Sequence, residues 1–118
     1  MTFNRTLGPL LKIQDEKTGV QAKTALVAAP TTTTARLQLV GITGSVTTAE
    51  ADTFLYLWEE DGTIPLFRVS LAAVGTFTHI FSEEGIPLLP DKDLQWQSDA
   101  TTGVVEFTAL YRKNPPGG

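Results

Sequence analysis

His79 is the only imidazole this chain offers for acid–base or metal chemistry. It lies between Thr78 and Ile80, in phase with Phe77 and Phe81. A general base must be held against a nucleophile and oriented by a third group. The neighbouring sequence supplies neither, so the simpler expectation is a partly buried histidine packed with aromatic rings. Carboxylates gather at Glu59-Glu60-Asp61, Glu83-Glu84, Asp91/Asp93 and Asp99. A glycosidase needs two of them across a cleft, one with a raised pKa. All four groups fall in expected turns, where solvated charge is the ordinary state. Asp91 and Asp93 could contribute to a calcium site, but they lack the loop length and the glycine of an EF-hand. Gly41-x-x-Gly44 follows a strand candidate with no helix after it, so a phosphate cradle lacks its helix N-terminus. There is no Walker lysine and no Gly-x-Ser-x-Gly elbow. The absence of cysteine excludes disulfides and thiolate metal sites. The expectation is a non-enzyme with no cofactor and no metal.

The elements that would carry these residues belong to a chain of 118 residues, the size of one domain. Hydrophobic residues make up 42% and charged residues 19%, which fits a folded protein with one core. No apolar run approaches the ~18 residues that span a bilayer, and residues 1–11 do not read as a signal peptide. Net charge is −4, so a broad nucleic-acid footprint is not expected. Basic residues are scattered and do not interleave with the aromatics. No membrane and no nucleic acid are therefore expected as partners.

Eighteen residues are threonine, a β-branched type suited to pleated, half-exposed surface. No window carries a helical stripe. Short alternating segments are separated instead by Gly, Pro, Asp and Asn. Strands are expected over Gly19–Ala29, Ala35–Thr43, Thr53–Glu60, Thr63–Ser70, Thr76–Ser82, Ile86–Leu89, Leu94–Ser98 and Val104–Arg112, with Gly44–Ala51 as a connection. Asp61-Gly62 between two β-rich runs signals a hairpin whose turn residues both take positive φ. About eight strands at intervals of roughly 8–12 residues predict an all-β antiparallel sandwich of jelly-roll type. Residues 1–18 read as an extended N-terminal arm, 19–113 as the sandwich and 114–118 as a flexible tail. The arm carries a net charge of +1 from Arg5, Lys12 and Lys17 against Asp15 and Glu16.

Thr53–Glu60 is apolar on both faces. Phe54, Tyr56 and Trp58 most simply fill the core, which leaves Leu55 and Leu57 for an oligomer interface, and a threefold ring suits such a chain. The alternative for the aromatics is an exposed sugar-binding platform using Trp58 or Trp96.

The segment order over residues 19–112 resembles that of small jelly-roll auxiliary head proteins of tailed bacteriophages, the decoration or cement proteins. The likeness lies in length, in segment order and in Thr/Ala/Gly-rich turns. It implies a homotrimer seated on the outer surface of the virion's capsid, made in the host cytoplasm and bound to the major capsid protein. It also implies an arm that reaches over neighbouring capsid subunits. Phe3, Leu7, Leu10, Leu11 and Ile13 would then be apolar anchors, with Arg5 and Lys12 pairing capsid carboxylates. Equally open is an arm that folds back as an extra strand. The alternative function is a carbohydrate- or receptor-binding module of a phage tail.

Overall fold

The computed structural model describes residues 11–18, 21–31, 34–82 and 85–114. Period-two alternation governs them, and they contain no helix. The strands are β1 (Leu11–Thr18), β2 (Gln21–Val27), β3 (Arg36–Thr48), β4 (Phe54–Glu59), β5 (Phe67–Ser70), β6 (Gly75–Ile80), β7 (Ile86–Pro87), β8 (Leu94–Ser98) and β9 (Val104–Asn114). One sheet has the order β1-β9-β3-β6, with the two-residue β7 also on β3; the other has the order β2-β8-β4-β5. Every pairing is antiparallel. The pairing is nested along the chain: β1 with β9, β2 with β8, β3 with β6 and β7, β4 with β5.

The core fills the space between the inner faces of the two sheets. β4 contributes Leu55 and Leu57, β8 contributes Leu94 and Trp96, and β9 contributes Val105, Phe107 and Ala109. Trp96 packs against Phe107 with ring centroids 5.3 Å apart. β3 supplies Leu37 and Leu39 and then Ile42 and Val46, a switch from odd to even positions. A bulge between Leu39 and Gly41 causes it. One extra residue flips every later side chain to the other face. The extra residue, Val40, turns its carbonyl to accept the Phe81 N–H at 2.8 Å.

Several sequence expectations are corrected here. Gly44–Ala51 is not wholly a connection, because β3 continues to Thr48. Gly44 is required in that stretch. A Cβ there would strike the Glu106 carbonyl oxygen and the Phe77 ring, and would sit 3.0 Å from the Phe107 Cα. The strand expected over Gly19–Ala29 ends at Val27 as β2 and carries two register irregularities, and residues 19 and 20 lie outside the described residues. The Asp61-Gly62 hairpin turn does not form as expected. Only Asp61 takes positive φ, at 62°, and the Gly62 N–H closes the turn on the Glu59 carbonyl at 2.8 Å. The return strand starts late, at Phe67, beyond Pro65.

The second half of the expected arm is a strand. Leu11, Lys12 and Ile13 lie at register positions opposite Tyr111, Leu110 and Ala109, so β1 is an edge of the first sheet. This is the folded-back alternative for these residues. Phe3, Arg5, Leu7 and Leu10 lie outside the described residues, as does 115–118 of the expected tail. The sandwich strands thus run from Leu11 to Asn114.

The expected assignment of Leu55 and Leu57 to an oligomer interface is overturned. Both have 0% exposure within the single chain. The reason is the partner strand: Leu57 faces Trp96 across the ladder, and Leu55 faces Ser98, both buried. The aromatic side of β4 is therefore the outer one.

Candidate functional site

Alternation along β4 places Phe54, Tyr56 and Trp58 in a row on the outside of the second sheet, each half-exposed. Their ring centroids are 6.0 and 6.1 Å apart, with the planes tilted by 42° and 37°. The flanking strands frame the row. On β8, Gln97 lies opposite Tyr56 and Gln95 opposite Trp58. On β5, Arg68 lies opposite Tyr56 and Ser70 opposite Phe54. The Trp58 indole Nε1 donates to Gln97 Oε1 at 2.9 Å, which fixes the indole's orientation.

Two cations lie on this row. The Lys23 ammonium sits 3.4 Å from the Trp58 ring centroid, and the Arg68 guanidinium 4.7 Å from that of Phe54. Such contacts on half-exposed rings contribute about 0.5–1 kcal/mol each. Lys23 also donates to the Gly62 carbonyl at 3.3 Å. Beside Lys23 and Arg68 stands the Asp99 carboxylate, hydrogen-bonded to the Phe54 N–H, so the row carries two cations and one anion on a chain of net charge −4. It offers ring faces, amide and hydroxyl hydrogen-bonding groups, and two positive charges.

The carboxylates do different work. Asp99 Oδ1 accepts the Phe54 N–H at 2.6 Å. Glu59 Oε2 accepts the Leu89 N–H at 2.6 Å, Glu60 Oε1 the Asp93 N–H at 2.9 Å, and Asp93 Oδ1 the Ala29 N–H at 2.6 Å. Asp61 pairs with Lys92 at 3.0 Å, which holds the lysine above its ordinary pKa. The loops β2–β3, β4–β5 and β7–β8 are thereby tied together at one end of the sandwich. Asp91 has φ 67°, a left-handed conformation Asp tolerates. Among the described residues no three metal-ligating side chains converge.

At the opposite end Glu50 is the clamp. Its Oε1 accepts the N–H groups of Thr101, Thr102 and Gly103 at 2.8, 2.5 and 2.8 Å. Its oxygens also accept the hydroxyls of Thr101 and Thr102. The Glu50 N–H donates to the Leu71 carbonyl at 2.9 Å, so one residue joins the β3–β4, β5–β6 and β8–β9 loops. The Thr102 and Gly103 N–H groups pull its pKa from 4.5 down to about 2. A group with a lowered folded pKa stabilises above its unfolded pKa and loses that contribution as pH falls through the folded value. Glu50 therefore stabilises the fold fully above about pH 4.5 and progressively less toward pH 2. In thermal unfolding from pH 2 to pH 6, Glu50→Gln is expected to lower Tm at pH 6 and to flatten the wild-type decline below pH 4.5. An unchanged decline in the variant would assign the acid sensitivity to other groups.

His79 stacks on Phe67 with centroids 5.2 Å apart and meets Phe81 edge-on at 4.7 Å. These rings close the side of the sandwich where edge strands β5 and β6 face each other. The imidazole is packed among aromatics, as the sequence pattern suggests, but it is exposed rather than partly buried. Trp96, one of two candidates for a sugar platform, is only 4% exposed and belongs to the core. Trp58 remains at the surface.

Sequence reasoning missed Glu50, Lys23 and Arg68. Glu50 had no local signal, because its partners lie 51 to 53 residues away. Lys23 meets Trp58 from a strand whose irregular register cannot be read from alternation. Arg68 could have been found, since it lies on the strand that follows β4 and pairs with it. No family model, curated protein or solved structure matches the chain.

Proposed function

We propose that this chain is a structural, non-catalytic jelly-roll protein that decorates and cements the outer surface of a phage head as a trimer. The jelly-roll reading is supported by the nested pairing, which is what a long antiparallel ribbon gives when it rolls into two sheets. The observation that carries the function is at the end of the sandwich laced by Glu59, Glu60 and Asp93. Ile64 and Leu89 stand out from its tied loops at 78% and 59% exposure. Apolar side chains on pre-ordered backbone can bind a protein surface with little further ordering cost. A cement protein works in this way, by adding interface area between subunits.

With Leu55 and Leu57 in the core, the contact with other chains is assigned to this end. Light scattering at micromolar concentration is expected to give a trimer, and co-sedimentation with purified heads of the encoding virus is expected to show saturable binding. The double variant Ile64→Asp/Leu89→Asp should lower assembly or head binding by at least about tenfold, while stability changes by no more than about 0.5 kcal/mol per exposed site. A wild-type chain that stays monomeric and ignores the heads would overturn the proposal.

The aromatic row favours a second reading, a carbohydrate- or receptor-binding module of a phage tail. Rings aligned on an outer sheet face with amides beside them suit the apolar face of a sugar ring and its hydroxyls.

A further inference from the structure

We propose that the outer face of β2-β8-β4-β5 binds an acidic polysaccharide, a chain of sugar rings bearing carboxylates. The inference rests on the aromatic row and its cations. It uses a different surface from the Ile64/Leu89 end and does not depend on the capsid reading.

Three features select this occupant. Phe54, Tyr56 and Trp58 follow one another at 6.0 and 6.1 Å along a single strand, a linear platform for a linear chain of rings. Gln95 and Gln97 run beside it on β8, each carrying both a donor and an acceptor. Hydroxyls, which donate and accept at once, are the complementary groups. Lys23 and Arg68 then place two positive charges along the row, over Trp58 and Phe54, against the single Asp99 carboxylate beside Phe54. A neutral sugar chain only accepts hydrogen bonds from them, whereas carboxylates set along the ligand also neutralise their charge.

Other anions fit less well. Single-stranded nucleic acid needs a groove that neutralises many phosphates, and this face has two cations on a chain of net charge −4. A protein partner is best held by anchors inserted into pockets, whereas this row lies on the open face of a sheet. Lys23 is already packed on Trp58, and Trp58 is fixed by Gln97, so the platform is ordered before a ligand arrives.

The test titrates the full-length protein with an oligomer of a hexuronic acid and with a neutral hexose oligomer of equal length, reading tryptophan fluorescence and calorimetry. The uronate is expected to bind about tenfold more tightly, the gain two exposed ion pairs supply. Lys23→Gln/Arg68→Gln should bring the two ligands to equal affinity and should abolish the salt dependence. Tyr56→Ala should remove binding of both, with Tm recorded to separate lost contact from lost fold. Equal affinity of the wild-type protein for both oligomers would overturn the anionic assignment. Silence toward both, or preference for a single-stranded oligonucleotide or an acidic peptide, would overturn the glycan assignment. Either result would leave trimer formation and head binding at the other surface untouched.

Discussion

Leu57→Ala is expected to lower the unfolding free energy by about 2–5 kcal/mol, and its neighbour Trp58→Ala by only about 1–2 kcal/mol. Leu57 has no exposed surface and faces Trp96 inside the sandwich, so truncation removes buried methyl groups and leaves a cavity. Trp58 is larger but lies on the outer face. Its loss there removes a half-exposed ring, one hydrogen bond to Gln97 and the contact with Lys23. Exposed cation–π contacts contribute about 0.5–1 kcal/mol and a net hydrogen bond about 0.5–1.5 kcal/mol. Urea unfolding of the two variants checks the order. If Trp58→Ala were the more costly, the inside and outside of β4 would be reversed.

The second large effect is at Trp96. Trp96→Ala is expected to cost about 3–5 kcal/mol. The ring is 4% exposed and packs on Phe107, which joins the second sheet to the first at the centre of the core. Small domains are stable by only about 5–15 kcal/mol, so the variant should unfold at a urea midpoint lower by more than about 1 M. Fluorescence adds an internal control. Its residual signal comes from Trp58 and should respond to solvent quenchers before unfolding. A midpoint within about 0.3 M of wild type would contradict the placement of Trp96 in the core.

These two variants also mark how far the sequence could be read. β6, β8 and β9 were legible because each keeps a clean period of two: Phe77 and His79, Leu94 and Trp96, then Val105, Phe107 and Ala109. β3 was readable only as far as Thr43. The bulge at Val40 moves the core set from Leu37 and Leu39 to Ile42 and Val46, and Gly44 and Ser45 then resemble a loop. β1 looks like part of an arm in the sequence because Lys12, Asp15, Glu16 and Lys17 break any apolar alternation, a composition that suits an edge strand.

The candidate site was half visible. Alternation separates Phe54, Tyr56 and Trp58 from Leu55 and Leu57, but both sets are apolar enough for a core. The decision is made elsewhere, by the buried Trp96 and Ser98 on β8, which only the register brings opposite the leucines. The acidic clusters misled in a different way. Glu59 ends β4, and Glu60 and Asp93 lie in loops where solvated charge is expected, yet each carboxylate holds a backbone N–H of another segment. Such pairings span 30 to 64 residues and leave no local pattern.

In the proposed function this chain acts by presenting surfaces on a clamped β-sandwich. Hydroxyl-radical footprinting of the protein, free and assembled, probes that most directly. In the free protein Tyr56, Trp58, Ile64 and Leu89 should label readily, and Leu55, Leu57 and Trp96 should resist. On assembly Ile64 and Leu89 should become protected while the aromatic row stays open. Labelling that is identical in the two states, or strong on Leu55 and Leu57 in the free chain, would contradict it.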